Sequence, residues 1–162
     1  MGAQADQTLT QAIQMAMESE QKAKAFYANA AQNSSDLKGR DMFKQLAAFE
    51  QAHFETLEAM LGFMESGGDV DYAGGALDPK NIETPSSKLP ADALQSDIDA
   101  ISFAIEAERK ARDRYRELAA NATNNQISEL FARLSQDEEL HRKVLNDQFV
   151  ALTNQGFWTW GE

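Results

Sequence analysis

Residues 50–53 read Glu50-Gln51-Ala52-His53, and 88 positions later residues 138–141 read Glu138-Glu139-Leu140-His141. Positions three apart on a helix lie one above the other on the same face, so each Glu and His would project toward a shared point. One Glu-x-x-His pair is a weak signal, because polar i,i+3 pairs are common on solvated helix faces. Here two copies consume both histidines of the chain, and that is the pattern of helices that hold metal ions.

Working outward, the segment that contains Glu50 and His53 places Met42, Phe43, Leu46, Phe49, Phe54, Leu57, Met60, Leu61 and Met64 on one helical stripe. It ends at Gly67-Gly68. Before it, Ile13, Ala16, Met17, Ala23, Tyr27, Ala30 and Ala31 mark a first helix from about Asp6 to Asn33, with Glu20 interrupting its apolar face. The cluster Asn33-Ser34-Ser35-Asp36 separates the two and can cap the second. Residues 67–90 are rich in Gly, Pro, Ser and Asp, without a sustained period, and read as a long crossover. A third helix starts near Pro90-Ala91-Asp92 and aligns Ile98, Ile101, Ile105, Tyr115 and Leu118 around Glu108. After a turn at 122–125, a fourth from about Gln126 to Thr153 aligns Ile127, Leu130, Phe131, Leu134, Leu145 and Leu152 with Glu138 and His141.

The predicted fold is therefore all-α: a ferritin-like four-helix bundle built as one domain from hairpins 6–66 and 91–153, joined by the crossover 67–90 and followed by an aromatic tail, 154–162. The hairpins repeat. Residue n aligned with n+88 matches Ile13/Ile101, Ala16/Ala104, Glu20/Glu108, Tyr27/Tyr115, Phe43/Phe131, Leu46/Leu134, Glu50/Glu138, His53/His141 and Leu57/Leu145 without a gap. Glu18/Glu106 also match, but two residues on a helix are about 200° apart, so only one acid of each pair can share the buried stripe. Glu20 and Glu108 share it with Tyr27 and Tyr115.

Glu20, Glu50, His53, Glu108, Glu138 and His141 are thus expected in the bundle interior. Four buried carboxylates without compensation would each cost several kcal/mol of desolvation. Two divalent cations would match their charge, and an all-N/O donor set suits iron or manganese, with zinc able to occupy the same cage. Tyr27 and Tyr115, two turns after Glu20 and Glu108, are placed either to hydrogen-bond those ligand carboxylates or simply to fill the core.

Composition narrows the classes. The absence of cysteine removes disulfides, thiolate metal sites and thiol catalysis. A net charge of −11 argues against nucleic acid. The start MGAQADQTL lacks a basic and apolar leader, and no run reaches the roughly 18 apolar residues of a membrane span, so a cytoplasmic protein with no membrane partner is expected. Phe157, Trp158 and Trp160 each carry a large apolar surface and are expected either to fold back on their own chain or to contact another subunit.

Taken together, Glu20 with Tyr27, Glu50-x-x-His53, Glu108 with Tyr115 and Glu138-x-x-His141 resemble the rubrerythrin branch of the ferritin-like superfamily, over roughly Thr8 to Leu152. The resemblance implies a catalytic site of two iron ions that reacts with peroxide or dioxygen, often in a homodimer. It makes Glu50 and Glu138 bridging ligands, Glu20 and Glu108 terminal ligands, and His53 and His141 the nitrogen ligands. Two departures stand out. Rubrerythrins carry a cysteine-ligated rubredoxin domain, so here an external electron donor protein would supply electrons. They also carry a further Glu one turn beyond the third-helix ligand, where this chain has Ala111, matched by Ala23. The resemblance thus leaves open a peroxidase or oxidase on one hand, and a protein that takes up, oxidises and stores or delivers iron on the other.

Overall fold

The computed structural model describes residues 2–67, 77 and 87–162, with side chains from Thr8 onward, so nearly all of the expected crossover lies outside the described residues. Four helices account for the structure: α1 (Gly2–Asn33), α2 (Leu37–Ser66), α3 (Ala91–Asn121) and α4 (Asn125–Gln155). No strand occurs among the described residues. The chain forms two compact units, Met1–Asn29 with Lys44–Leu77, and Ala30–Phe43 with Asp78–Glu162.

The helix ends follow from the residues that make them. Asp36 Oδ1 accepts from the backbone amides of Lys38 (2.8 Å) and Gly39 (3.3 Å), which satisfies donors that the first turn of α2 leaves open. Asn124 does the same for α4, accepting from Gln126 N at 2.9 Å and Ile127 N at 3.1 Å. At the other end, Gly156 takes the left-handed conformation, φ 78°, and returns its amide to Leu152 O, which ends α4 two residues beyond the expected Thr153. Gly67, φ 74°, closes α2 in the same way.

The expected stripes supply the core, with Phe49, Phe54, Leu61, Ile98, Ile105 and Leu118 half-buried at its margin. Ile13, Met42, Phe43, Leu46, Leu57, Met60, Ile101, Phe131, Leu134 and Leu145 are wholly buried. The repeat is also visible in contacts between helices. In the first unit Lys24 Nζ of α1 donates to Gln51 Oε1 of α2 at 2.8 Å. In the second, the equivalent residues Arg112 and Glu139 join α3 to α4 at 2.7 Å. Ser135 and Ser128 hydroxyls add bonds to the Arg112 and Ala119 carbonyls, 3.0 and 2.7 Å, fixing the antiparallel register of α3 and α4.

Of the two fates open to the aromatic tail, folding back is the one seen. Trp158 is fully buried, edge-on to Phe43 with ring centroids 5.7 Å apart. Its indole N–H donates to Asp97 Oδ2 at 2.9 Å, and the Ser34 hydroxyl donates to the same oxygen at 3.2 Å. Trp160 donates to Asp41 Oδ2 at 2.9 Å, and Lys38 Nζ pairs with Glu162 Oε1 at 2.7 Å. Gly39 is required beneath the tail, because a Cβ there would lie 2.6 Å from Ser34 Oγ and 2.7 Å from the Trp158 ring.

Candidate metal centre

Each unit gathers three of the six expected residues. In the first, Glu20 comes from α1 and Glu50 and His53 from α2, and their ligand atoms lie within 4.8 Å of one another. His53 Nδ1 stands 3.6 Å from Glu20 Oε1 and 3.9 Å from Glu50 Oε2. In the second, α3 supplies Glu108 and α4 supplies Glu138 and His141, again within 4.8 Å. His141 Nδ1 is 3.8 Å from Glu108 Oε1 and 3.2 Å from Glu138 Oε2. The same nitrogen faces the carboxylates in both triads, as a repeated hairpin requires.

Burial makes these groups chemically unusual. None of the six side-chain-bearing residues exceeds 4% exposure, and His53 and Glu138 are at 0%. The choice of acid on α1 and α3 is resolved as the helical geometry demands. Glu20 and Glu108 are buried, whereas Glu18 and Glu106 face solvent, and Glu106 is occupied by Arg109 through bonds of 2.6 and 3.0 Å. Two carboxylates and one imidazole around a point, with no thiolate, form a hard donor set of the kind that suits iron or manganese. The residues therefore fit a metal on donor chemistry alone.

Tyr27 and Tyr115 are both buried, at 2% and 0%. Tyr115 stacks on Phe131, centroids 6.2 Å apart, and the Arg114 guanidinium lies 5.5 Å from the centre of its ring. Packing thus accounts for the ring, whatever its hydroxyl does.

One strongly perturbed residue next to the site escaped the sequence reading. Glu139 points away from Glu138 and is gripped by Arg142, Nε–Oε2 2.9 Å and Nη2–Oε1 2.8 Å, and by Arg112 at 2.7 Å. The hydrogen bonds from Arg142 and then Arg112 hold its carboxyl down at about 2. The i,i+3 spacing of Glu139 and Arg142 was a readable signal. The partner on α3 was not.

Comparison with known proteins agrees with this picture. Residues 99–155, which span most of α3 and all of α4, match the Rubrerythrin family model. No curated protein sequence matches the chain. A solved structure, a hypothetical protein from Pyrococcus furiosus, is 25% identical and superimposes with a TM-score of 0.72 over 93% of each chain. The all-α, ferritin-like four-helix class read from the repeat is the class these likenesses share. The match to residues 99–155 contains Glu108, Glu138 and His141, and the repeat places Glu20, Glu50 and His53 at the equivalent positions of the first hairpin. Over residues 99–155 the chain is thus similar to the Rubrerythrin family model, and as a whole it has a ferritin-like four-helix fold.

Proposed function

We propose that the chain is a di-iron carboxylate protein that reacts with peroxide or dioxygen. The observation that carries this reading is the pair of buried Glu-Glu-His triads, each with its imidazole Nδ1 within 4 Å of both carboxylates. Each triad would hold one ion, through Glu20, Glu50 and His53 in the first unit and through Glu108, Glu138 and His141 in the second. When bound, two Fe(II) ions supply the two electrons that reduce one peroxide to two waters, with uptake of two protons.

The chain's own contribution is to hold both imidazoles in place beside the carboxylates and to keep four carboxylates away from bulk water, where metal charges would offset their repulsion. Manganese or zinc would be held by the same donors. With no cysteine in the chain, turnover needs electrons from a separate protein. Ala111 stands where a further Glu ligand would be, so the two halves remain equivalent, a feature that favours simple iron oxidation, as in storage or delivery, as the second reading.

Stopped-flow mixing separates the two. Protein loaded anaerobically with Fe(II) is mixed with peroxide or with oxygenated buffer, then supplied with a reductant. Oxidation of two irons per peroxide, followed by repeated turnover, supports the peroxidase reading; a single oxidation with continued iron uptake supports the second. Absence of any iron oxidation beyond that of free Fe(II) would exclude both.

A further inference from the structure

The chain carries −11 overall, yet residues 109–143 hold eight of its fifteen Lys and Arg residues against six acids, a local excess of positive charge. Of these, Arg116 and Lys143 border the seam between α3 and α4, inside a single compact unit. There a groove of about 450 Å³ runs between the helices, bordered by Arg116 from α3 and by Glu139, Leu140 and Lys143 from α4, with Ala119 and Ala132 leaving room at its floor.

The charges of this groove are of two kinds. Glu139 is saturated by Arg112 and Arg142, and Arg112 also pairs with Asp113 at 3.0 Å, so the charges of that wall are already matched. Arg116 and Lys143 are exposed and make neither ion pair nor hydrogen bond among the described residues. Between them Leu140, next in sequence to His141, is 58% exposed. All free donors in the groove are cationic or amide, and its one large apolar side chain is uncovered.

Exposure decides what can occupy it. The register fixed by Ser128–Ala119 and Ser135–Arg112 sets Arg116 near Ala132, and the Arg116 and Lys143 side chains both border the same groove. A small anion held there would stay in contact with water. Exposed ion pairs are also individually weak and screened by salt, so a stable occupant must cover the surroundings as well, on the order of 1,000 Å² for a specific protein contact.

We propose that the α3–α4 groove is a docking site for an acidic surface of a partner protein, which pairs carboxylates with Arg116 and Lys143 and covers Leu140 with an apolar side chain. This assignment is independent of the metal reading, since it uses no ligand residue.

The test titrates the purified full-length protein with a fluorescently labelled Glu–Tyr copolymer and with poly-L-glutamate, at about 20 mM salt, where exposed charges still act at distance. Arg116→Glu with Lys143→Glu should weaken binding by roughly tenfold or more. Lys22→Glu with Lys44→Glu makes the same change in net charge at exposed positions of the other unit and should leave it within about twofold. The copolymer should bind better than poly-L-glutamate, and Leu140→Ser should abolish that preference. Equal loss in both double variants would overturn the proposal, as would absence of binding. Dextran sulfate binding as tightly, through the same two residues, would also overturn it by replacing the acidic protein with a sulfated or phosphorylated polymer. Unchanged circular dichroism melting of each variant shows that folding is not the cause.

Discussion

Glu18 and Glu20 are two residues apart and meet opposite fates: one is exposed and the other is 2% exposed beside His53. The helical rotation of about 200° between them decides which acid lies in the interior, where a metal could use it. Glu20→Gln or Glu108→Gln should therefore raise the stability of the metal-free protein by on the order of 1 kcal/mol, through relief of like-charge repulsion, and should shrink the rise in melting temperature on adding Mn(II) or Zn(II). Glu18→Gln and Glu106→Gln should do neither, since both acids face solvent and the Glu106–Arg109 pair is screened by water. Melting curves with and without metal would show it; if the Glu18 and Glu106 variants lost the metal effect instead, the ligands on α1 and α3 would have to move by two residues. Glu139 makes a separate pH prediction. Its folded carboxyl is depressed to about 2 from 4.5, so the stabilisation it contributes is complete above its unfolded value and is lost as pH falls toward 2. Glu139→Gln should flatten the acid limb of the stability curve in that window, read by urea unfolding at stepped pH.

At the scale of elements, the tail is held to the start of α2 through Asp41 and Phe43 and to α3 through Asp97. Removing residues after Gln155 should cost several kcal/mol, since loss of a buried Trp side chain alone typically costs about 3–5. Gly39→Ala should destabilise by about 1–3 kcal/mol despite the better helix propensity of Ala, because the added methyl meets Ser34 and the Trp158 ring. Asp97 behaves oppositely to Glu139: burial, only partly offset by hydrogen bonds from Trp158 and Ser34, pushes its carboxyl up, with Asp36 adding to the rise. Its contribution is therefore full below the ordinary 3.8 and is lost as pH rises through the folded value. Asp97→Asn, whose carbonyl can still accept, should remove that loss and stabilise the protein at neutral pH, measured by Trp fluorescence during denaturation. These elements also show what the sequence could reveal. The helices, their faces and the six interior ligating candidates were readable because a strict spacing recurs after 88 residues. The tail clasp was not, because Asp97 meets Ser34 and Trp158 across 63 and 61 residues and no local pattern marks such a pairing. Nor was the embrace of Glu139, whose α3 partner Arg112 lies 27 positions away.

For the molecule as a whole, a chain at −11 stores four buried carboxylates that two cations would offset. Binding of metal to the folded chain alone should stabilise it by about 2.7 kcal/mol at a hundredfold excess over Kd, and the affinity should weaken as pH drops and histidine and carboxylate take up protons. Among the described residues no helix is long and apolar enough to cross a membrane. The most direct check of the central claim is anaerobic equilibrium titration of the metal-free protein with Fe(II), followed by metal analysis after desalting. The account predicts saturation at two irons per chain, falling toward one in His53→Ala and in His141→Ala. A stoichiometry of zero, or two irons still bound when both histidines are replaced, would contradict it.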